Sequence, residues 1–273
     1  MDLEEVLREG YVLDFEDHFD GEELDRSRWL PLYLPQWSSS IASAARYELA
    51  DGALHLLIEA EQAPWCPQLD GATRVSSLQT GVYAGPVGSS IGQHRFHPDA
   101  VVREPQQDVR LYTPRYGVFV LRAKALADPR CMASLWMIGY EDSPERSAEI
   151  CVFEIFGKNV DEGSAAIGMG VRPFSDPSIT NDFEEVRLSI DVRDFHDYAV
   201  QWTPERVTFF VDGSPIRTVE QSPAYPMQFM LGIYEFDEPD PVATAYPKRF
   251  TVDSFSAYRP AESPEPTQVE SRS

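Results

Sequence analysis

Ala148-Glu-Ile-Cys-Val-Phe-Glu-Ile-Phe-Gly157 sets two glutamates, Glu149 and Glu154, inside a run of β-branched and aromatic residues. That composition predicts a strand, and the turn-forming stretch Glu141-Asp-Ser-Pro-Glu145 precedes it. An ionised carboxylate among Ile, Val and Phe loses hydration at a cost, so a pair there implies a polar or charged counterpart. Positions five apart on a regular strand point to opposite faces. A β-bulge adds one residue and restores the common face, and Glu149, Cys151 and Glu154 then project together. The two glutamate Cα atoms would lie about 13 Å apart at roughly 3.3 Å per residue. Long side chains leaning together from there reach about 5–5.5 Å, the carboxyl separation that cuts a glycosidic bond with retention. The alternative is an unbulged edge strand with one Glu buried and the other solvated.

The chain of 273 residues is long enough for one large all-β domain. With 45 acidic against 23 basic residues its formal net charge is −22. No basic footprint for phosphates exists, so a nucleic-acid partner is not expected. A neutral substrate suits the charge better than an anionic polysaccharide. The apolar stretches are strand-length, which gives no transmembrane helix and no membrane partner. The acidic opening, Met1-Asp-Leu-Glu-Glu-Val-Leu-Arg-Glu-Gly10, lacks the apolar core of a signal peptide. The chain as written reads as cytoplasmic, and as secreted if it is a trimmed mature form. Cys66, Cys131 and Cys151 have no metal-ligand spacing and argue against a disulfide framework.

Short strand-like runs recur between Pro, Gly, Asp and Ser. Gly117–Lys124, Ala133–Ile138, Tyr198–Trp202, Val207–Val211 and Gln228–Tyr234 are examples, as is the longer run Tyr47–Ile58. Many strands at this spacing indicate a sandwich or jelly roll. Val211-Asp-Gly-Ser-Pro-Ile216 supplies an Asp-Gly hairpin turn. Residues 82–114 form the least regular part, a loop of a length that is usually functional or disordered. The expected organisation is an N-terminal segment 1–10, one domain 11–258 and a disordered tail 259–273.

Around the Glu pair the chain resembles glycoside hydrolase family 16, the laminarinase and lichenase group of the concanavalin-A-like superfamily. The family signature is Glu-Ile-Asp-Ile-x-Glu, preceded by a Phe-Trp-Met strand that Leu135-Trp136-Met137 matches. Downstream, Phe195-His196-Asp197-Tyr198 through Trp202-Thr-Pro-Glu-Arg206, followed by Val211-Asp-Gly213, looks like the family's Phe-His-x-Tyr…Glu-Trp-Thr-Pro…Val-Asp-Gly block. Tyr225–Leu231 and Phe250–Phe255 match closing strands, Phe15–Gly21 an opening one, and Tyr116-Gly117 with Arg122-Ala-Lys124 an interior one.

The resemblance implies an all-β, concanavalin-A-like jelly-roll sandwich of two antiparallel sheets with a cleft on the concave one. It implies Glu149 as nucleophile and Glu154 as general acid/base, with Trp136, Arg122 and Trp202 as substrate-binding side chains. Cys151 stands where the family has an Asp that orients the nucleophile, so it occupies a modulating position. A neutral thiol there donates only weakly and reads as a small residue packed under the cleft.

Other departures bear on the substrate. Val120 replaces an interior Glu and Arg46 a sugar-binding Asn. Arg172 falls near where the family often has His. His94, His97 and Arg103 of the long loop are within reach of the cleft, and His196 reads as a satisfied structural histidine. Gly52 and Asp253 occupy places of a family calcium site, but His18 stands where an acid is usual. No cofactor or metal is therefore expected.

The expected function is a retaining endo-type glycoside hydrolase on a β-linked polysaccharide or oligosaccharide, with β-1,3-glucan as the candidate substrate. The alternatives are a catalytically silent carbohydrate-binding relative and a transglycosylase on the same scaffold.

Overall fold

The structure, a computed structural model, describes residues 1–237 and 245–261. Two large antiparallel sheets pack face to face as a jelly-roll sandwich. The eight-stranded sheet runs in the order Ser214–Val219, Val207–Val211, His196–Trp202, Gly117–Lys124, Lys248–Pro260, Ala53–Ile58, Arg46–Ala50, with Tyr11–Asp17 also paired to Lys248–Pro260. The seven-stranded sheet runs Val160–Asp161, Ser164–Arg172, Glu149–Phe156, Cys131–Gly139, Met227–Glu235, Arg74–Gln79, with Asp182–Leu188 on the far side of Ser164–Arg172.

Alternation along each strand sorts side chains between two environments. From Cys131–Gly139 the residues Ala133, Leu135 and Met137 enter the core between the sheets. Met132, Trp136 and Ile138 face outward into a second apolar cluster with Tyr33, Trp65 and Tyr234. Aromatic rings knit the two sheets together, with Phe153 at 4.4 Å from Tyr198 and Phe229 at 5.0 Å from Phe255. Each such ring removed from water contributes about 1.5–3 kcal/mol.

The predicted bulge is present. Ile150 and Val152 enter the core, and so do the next alternating residues Phe153 and Ile155. Opposite Cys131–Gly139, Phe153 pairs with Leu135 and Cys151 with Trp136, which leaves Val152 without a partner. The other neighbour absorbs the same shift, pairing Glu154 with Gly168, Cys151 with Gly170 and Glu149 with Arg172. Glu149, Cys151 and Glu154 therefore share the outer face of a strand that is paired on both sides.

The glycines opposite are required there. A Cβ on Gly168 would meet the Phe183 ring at 2.5 Å, and one on Gly170 the Asp182 carbonyl oxygen at 2.2 Å. Gly170 also holds φ +149°.

Several details differ from the sequence reading. Tyr47–Ile58 is two strands, Arg46–Ala50 and Ala53–Ile58, because Asp51 and Gly52 both adopt positive φ and turn the chain. The expected Asp212-Gly213 turn forms in the same way. Residues 1–10 are part of the domain: Asp2 and Glu5 form a capping box for the helix Leu3–Arg8, whose Leu3 and Val6 bury against Val118, Ala199 and Phe210. The final strand runs to Pro260, beyond the expected boundary at 258, and the rest of the expected tail, 262–273, lies outside the described residues. The long loop carries a short ribbon, Gly81–Val82 with Val109–Arg110. No helix among the described residues is long and apolar enough to cross a membrane.

Gly170→Ala should cost about 1–3 kcal/mol through the strained φ and the backbone collision. Urea denaturation checks this, and an unchanged midpoint would contradict the need for glycine opposite the bulge.

Candidate active site

The outer face of the seven-stranded sheet carries a cavity of about 380 Å³ containing Glu149, Glu154 and Arg172. The bulge brings a carboxylate oxygen of each glutamate and the Cys151 sulfur within 4.8 Å of one another. Arg172 lies on the next strand, directly opposite Glu149. Its Nη1 donates to Glu149 Oε1, and also to Glu154 Oε1 at 3.0 Å, while Nη2 donates to Glu154 Oε2 at 2.9 Å. One guanidinium thus bridges both carboxylates and is bidentate on Glu154. It rests on the Phe183 ring, 3.7 Å from the ring centre. Phe183 in turn lies over Gly168, where any side chain would displace it.

Electrostatics follow from this packing. Burial pushes the Glu149 carboxyl up to about 7, Arg172 pulls it down, and the Glu154 charge adds to the rise. Cys151 is fully buried, and burial together with Glu154 and Glu149 raises its thiol well above the ordinary range. It is a neutral thiol beneath the pair, as the sequence suggests. The three side chains have the composition of a metal site, yet the guanidinium already supplies the positive charge between the two carboxylates.

Trp136 lines the cavity, donates from Nε1 to the Tyr234 hydroxyl at 3.1 Å, and packs 4.9 Å from the His94 ring. His94 reaches the site from the long loop, whereas His97 and Arg103 engage Asp99 and Gln68 elsewhere.

Two expected substrate-binding residues are not in the cleft. Arg122 sits on the outer face of the eight-stranded sheet, in ion pairs with Asp197 at 3.2 Å and Asp253 at 3.6 Å. Trp202 is wholly buried in the core and donates to Ser222 and Pro223. Trp202 shares the core-facing side of its strand with Tyr198. His196 is satisfied by Asp212 and the Asp191 carbonyl. Asp253, placed at the expected calcium position, already faces the Arg122 guanidinium, and His18 pairs with Glu16 at 3.6 Å. These residues do not fit a calcium ion.

Sequence reasoning missed the aromatic walls. Tyr33, Trp65, Phe174 and Phe236 line the cavity from four separate segments. Trp65 stands 4.6 Å from Tyr33 and donates to Asp70 at 2.5 Å. No local pattern groups them, because they come from segments far apart in the sequence.

Fold and site together define a jelly-roll protein with paired carboxylates in an aromatic-walled cleft, the equipment of a carbohydrate-active sandwich. The sequence profile of glycosyl hydrolases family 16 matches residues 112–248, just over half of the chain. The chain belongs to that family. Among solved structures it is similar to the GlcNAcα1-4Gal releasing endo-β-galactosidase of Clostridium perfringens, with TM-score 0.79 and 26% identity over 92% of this chain and 64% of that one. It spans less than two thirds of that protein's length. It also shares its fold with the laminarinase of Flavobacterium sp. UMI-01 (TM-score 0.62, 18% identity, covering 91% and 100%). The catalytic domain of an endo-1,3-β-glucanase from Thermotoga petrophila is a further fold relative (0.59, 14%, 92% and 98%). No curated protein sequence matches the chain.

The buried titratable groups predict a pH dependence of stability. Burial raises Glu149 to about 7 and Glu141 to about 8 from an ordinary 4.5, so the folded chain keeps protons that the unfolded chain releases. Stability falls as pH climbs from about 4.5 through about 8. His94, pushed by burial down to about 4 from 6.5, acts oppositely and costs stability as pH drops below about 6.5. The urea midpoint should therefore decline between pH 6 and pH 9, and Glu141→Gln should flatten that decline. An equal slope in the variant would refute the Glu141 contribution.

Proposed function

We propose that the chain is a retaining, endo-acting glycosidase that cleaves a β-linked, galactose-containing glycan. The single observation that carries this reading is the bulge. It sets the oxygens of Glu149 and Glu154 within 4.8 Å on one face, close to the roughly 5–5.5 Å of a retaining pair. Glu149 attacks the anomeric carbon as the glycosidic bond breaks, and the leaving oxygen takes the proton of Glu154. Glu154 then removes a proton from water, whose oxygen displaces Glu149 and completes hydrolysis. Trp136 and the aromatic walls supply apolar faces for sugar rings.

Arg172 has two tasks in this scheme. It holds charge on Glu149, which burial alone would neutralise near pH 7. It also holds Glu154 in place through a bidentate contact.

The galactoside preference rests on the similarity to the Clostridium enzyme. β-1,3-Glucan is the second reading, favoured by the Leu135-Trp136-Met137 and Glu149-to-Glu154 motifs shared with the laminarinase group. A silent carbohydrate binder has Cys151 in its favour.

Intact-mass analysis after incubation with 2-deoxy-2-fluoro-β-galactosyl or β-glucosyl fluoride separates these readings. One covalent label is expected on the wild type and none on Glu149→Ala. The galactosyl donor should react faster. No label from either donor would exclude the glycosidase. In Arg172→Met, the acid limb of the kcat/KM profile should move up by about 1–3 pH units, because the buried Glu149 carboxyl loses the cation that lowers it. An unmoved limb would show that Arg172 does not set the charge of the pair.

A further inference from the structure

Glu149 is the first residue of its strand and Arg172 the last residue of the strand beside it. The rung that joins them is therefore the end of the ladder. Ladder ends open first, because no pairing beyond them holds the strands together. Pro173 makes this ending abrupt. It has no N–H to continue the pairing, and Phe174 after it turns at φ +46°. The Asp176 N–H closes the turn on the Pro173 carbonyl at 2.8 Å. Yet Glu149 is buried and in contact with the Arg172 guanidinium, so this end is held by more than backbone pairing.

Two side-chain ties hold it. The Ser175 N–H donates to the Ser147 hydroxyl at 2.9 Å, which joins the turn to the segment before Glu149. The second tie passes through Tyr225, two residues before the strand Met227–Glu235. The Ala148 N–H donates to the Tyr225 hydroxyl at 2.8 Å, and that hydroxyl donates to Asp176 Oδ2 at 2.7 Å. Asp176 Oδ1 accepts from the Ser178 N–H at 2.8 Å and from its hydroxyl at 2.6 Å. One tyrosine hydroxyl thus links the residue before Glu149 to the turn after Arg172.

Water does not compete for this relay. Ser147, Ala148, Asp176 and Tyr225 are all buried, and a buried polar group that loses its partner has no substitute for it. Burial, and then the bond to Asp176, raise the Tyr225 hydroxyl above its ordinary range, so it keeps the proton it donates. Gly139 leaves the ring its place, since a Cβ there would meet it at 2.9 Å.

We propose that Tyr225 and Asp176 are positioning residues for Glu149: their relay pins Ala148 to the turn after Arg172 and so keeps the guanidinium on that carboxylate. Neither side chain lines the catalytic cavity, and both act through the backbone of Ala148. This deepens the glycosidase reading and rests on Glu149 being its nucleophile. Glu154 and Cys151 stand beside Glu149 on its own strand, Arg172 on the next, and Tyr33, Asp70, His94 and Tyr234 line the cavity from other segments. Arg172 is the group that lowers the Glu149 carboxyl against burial and the Glu154 charge, so a loosened last rung moves its titration upward.

Carbon-13 NMR of the glutamate carboxyls, with Glu149 assigned by its absence in Glu149→Gln, measures this without substrate. In Tyr225→Phe, which keeps the ring, the Glu149 midpoint should rise by about 0.5–1 pH unit, part of the shift an adjacent opposite charge exerts. Ser147→Ala removes the other tie and should move the midpoint the same way; it carries the test where Tyr225→Phe does not fold. Ser178→Ala takes a different bond from the same aspartate and should leave the midpoint in place. An unmoved midpoint in Tyr225→Phe, or an equal rise in Ser178→Ala, would overturn the proposal. A midpoint that rises as expected in a protein that no fluoro sugar labels would sink the glycosidase reading alone. Labelling of the wild type with an unmoved midpoint in Tyr225→Phe would sink the positioning alone.

Discussion

Two carboxylates five residues apart can share one face of a strand only where one residue stays unpaired. Val152 is that residue, and most of the site depends on it. The strand is central in its sheet, so both neighbours must accommodate the extra length. Cys131–Gly139 does so by a register shift beside Trp136, and Ser164–Arg172 by one between Gly168 and Gly170. The outer positions of the latter strand are then Gly168, Gly170 and Arg172, facing Glu154, Cys151 and Glu149 in turn. Two absent side chains leave room for Phe183 to lie flat, and Phe183 carries the guanidinium. The bulge, the glycines, the ring and the arginine are one mechanical unit.

That unit also resolves an electrostatic problem. The middle position of this face, where the resemblance implies a third acid, holds the buried thiol of Cys151. Removing a carboxylate relieves repulsion but also removes whatever proton it shared with its neighbours. Arg172 supplies a different coupling, a cation in contact with both remaining acids. In a chain of net charge −22 this single guanidinium at the cleft floor sets the charge of the pair more strongly than any distant residue, because the site is buried and poorly screened.

Much of this was legible in the sequence. Alternation marked which residues share a face, the parity conflict at Glu149 and Glu154 left a choice between a bulge and an unbulged edge strand, and Asp212-Gly213 marked its hairpin. Parity cannot say which shared face is the core. The resemblance alone placed Trp202 and Arg122 in the cleft, and one points between the sheets and the other to the far surface. The cleft walls were illegible for another reason. Tyr33, Trp65, Phe174 and Phe236 converge only in three dimensions, and Arg172 gains its meaning from a register that the bulge itself shifts.

The two kinds of support in the site differ in what they permit. Glu149 and Glu154 stand on a strand hydrogen-bonded along both edges, where a one-residue slip would turn them into the core. Their geometry is therefore either right or lost. His94, Glu141 and Phe174 are held instead by a tie between loops and by left-handed backbone. Such a division lets loop changes reshape the cleft while the paired carboxylates keep their place on the sheet. The fold itself is shared with β-glucanases and a β-galactosidase alike.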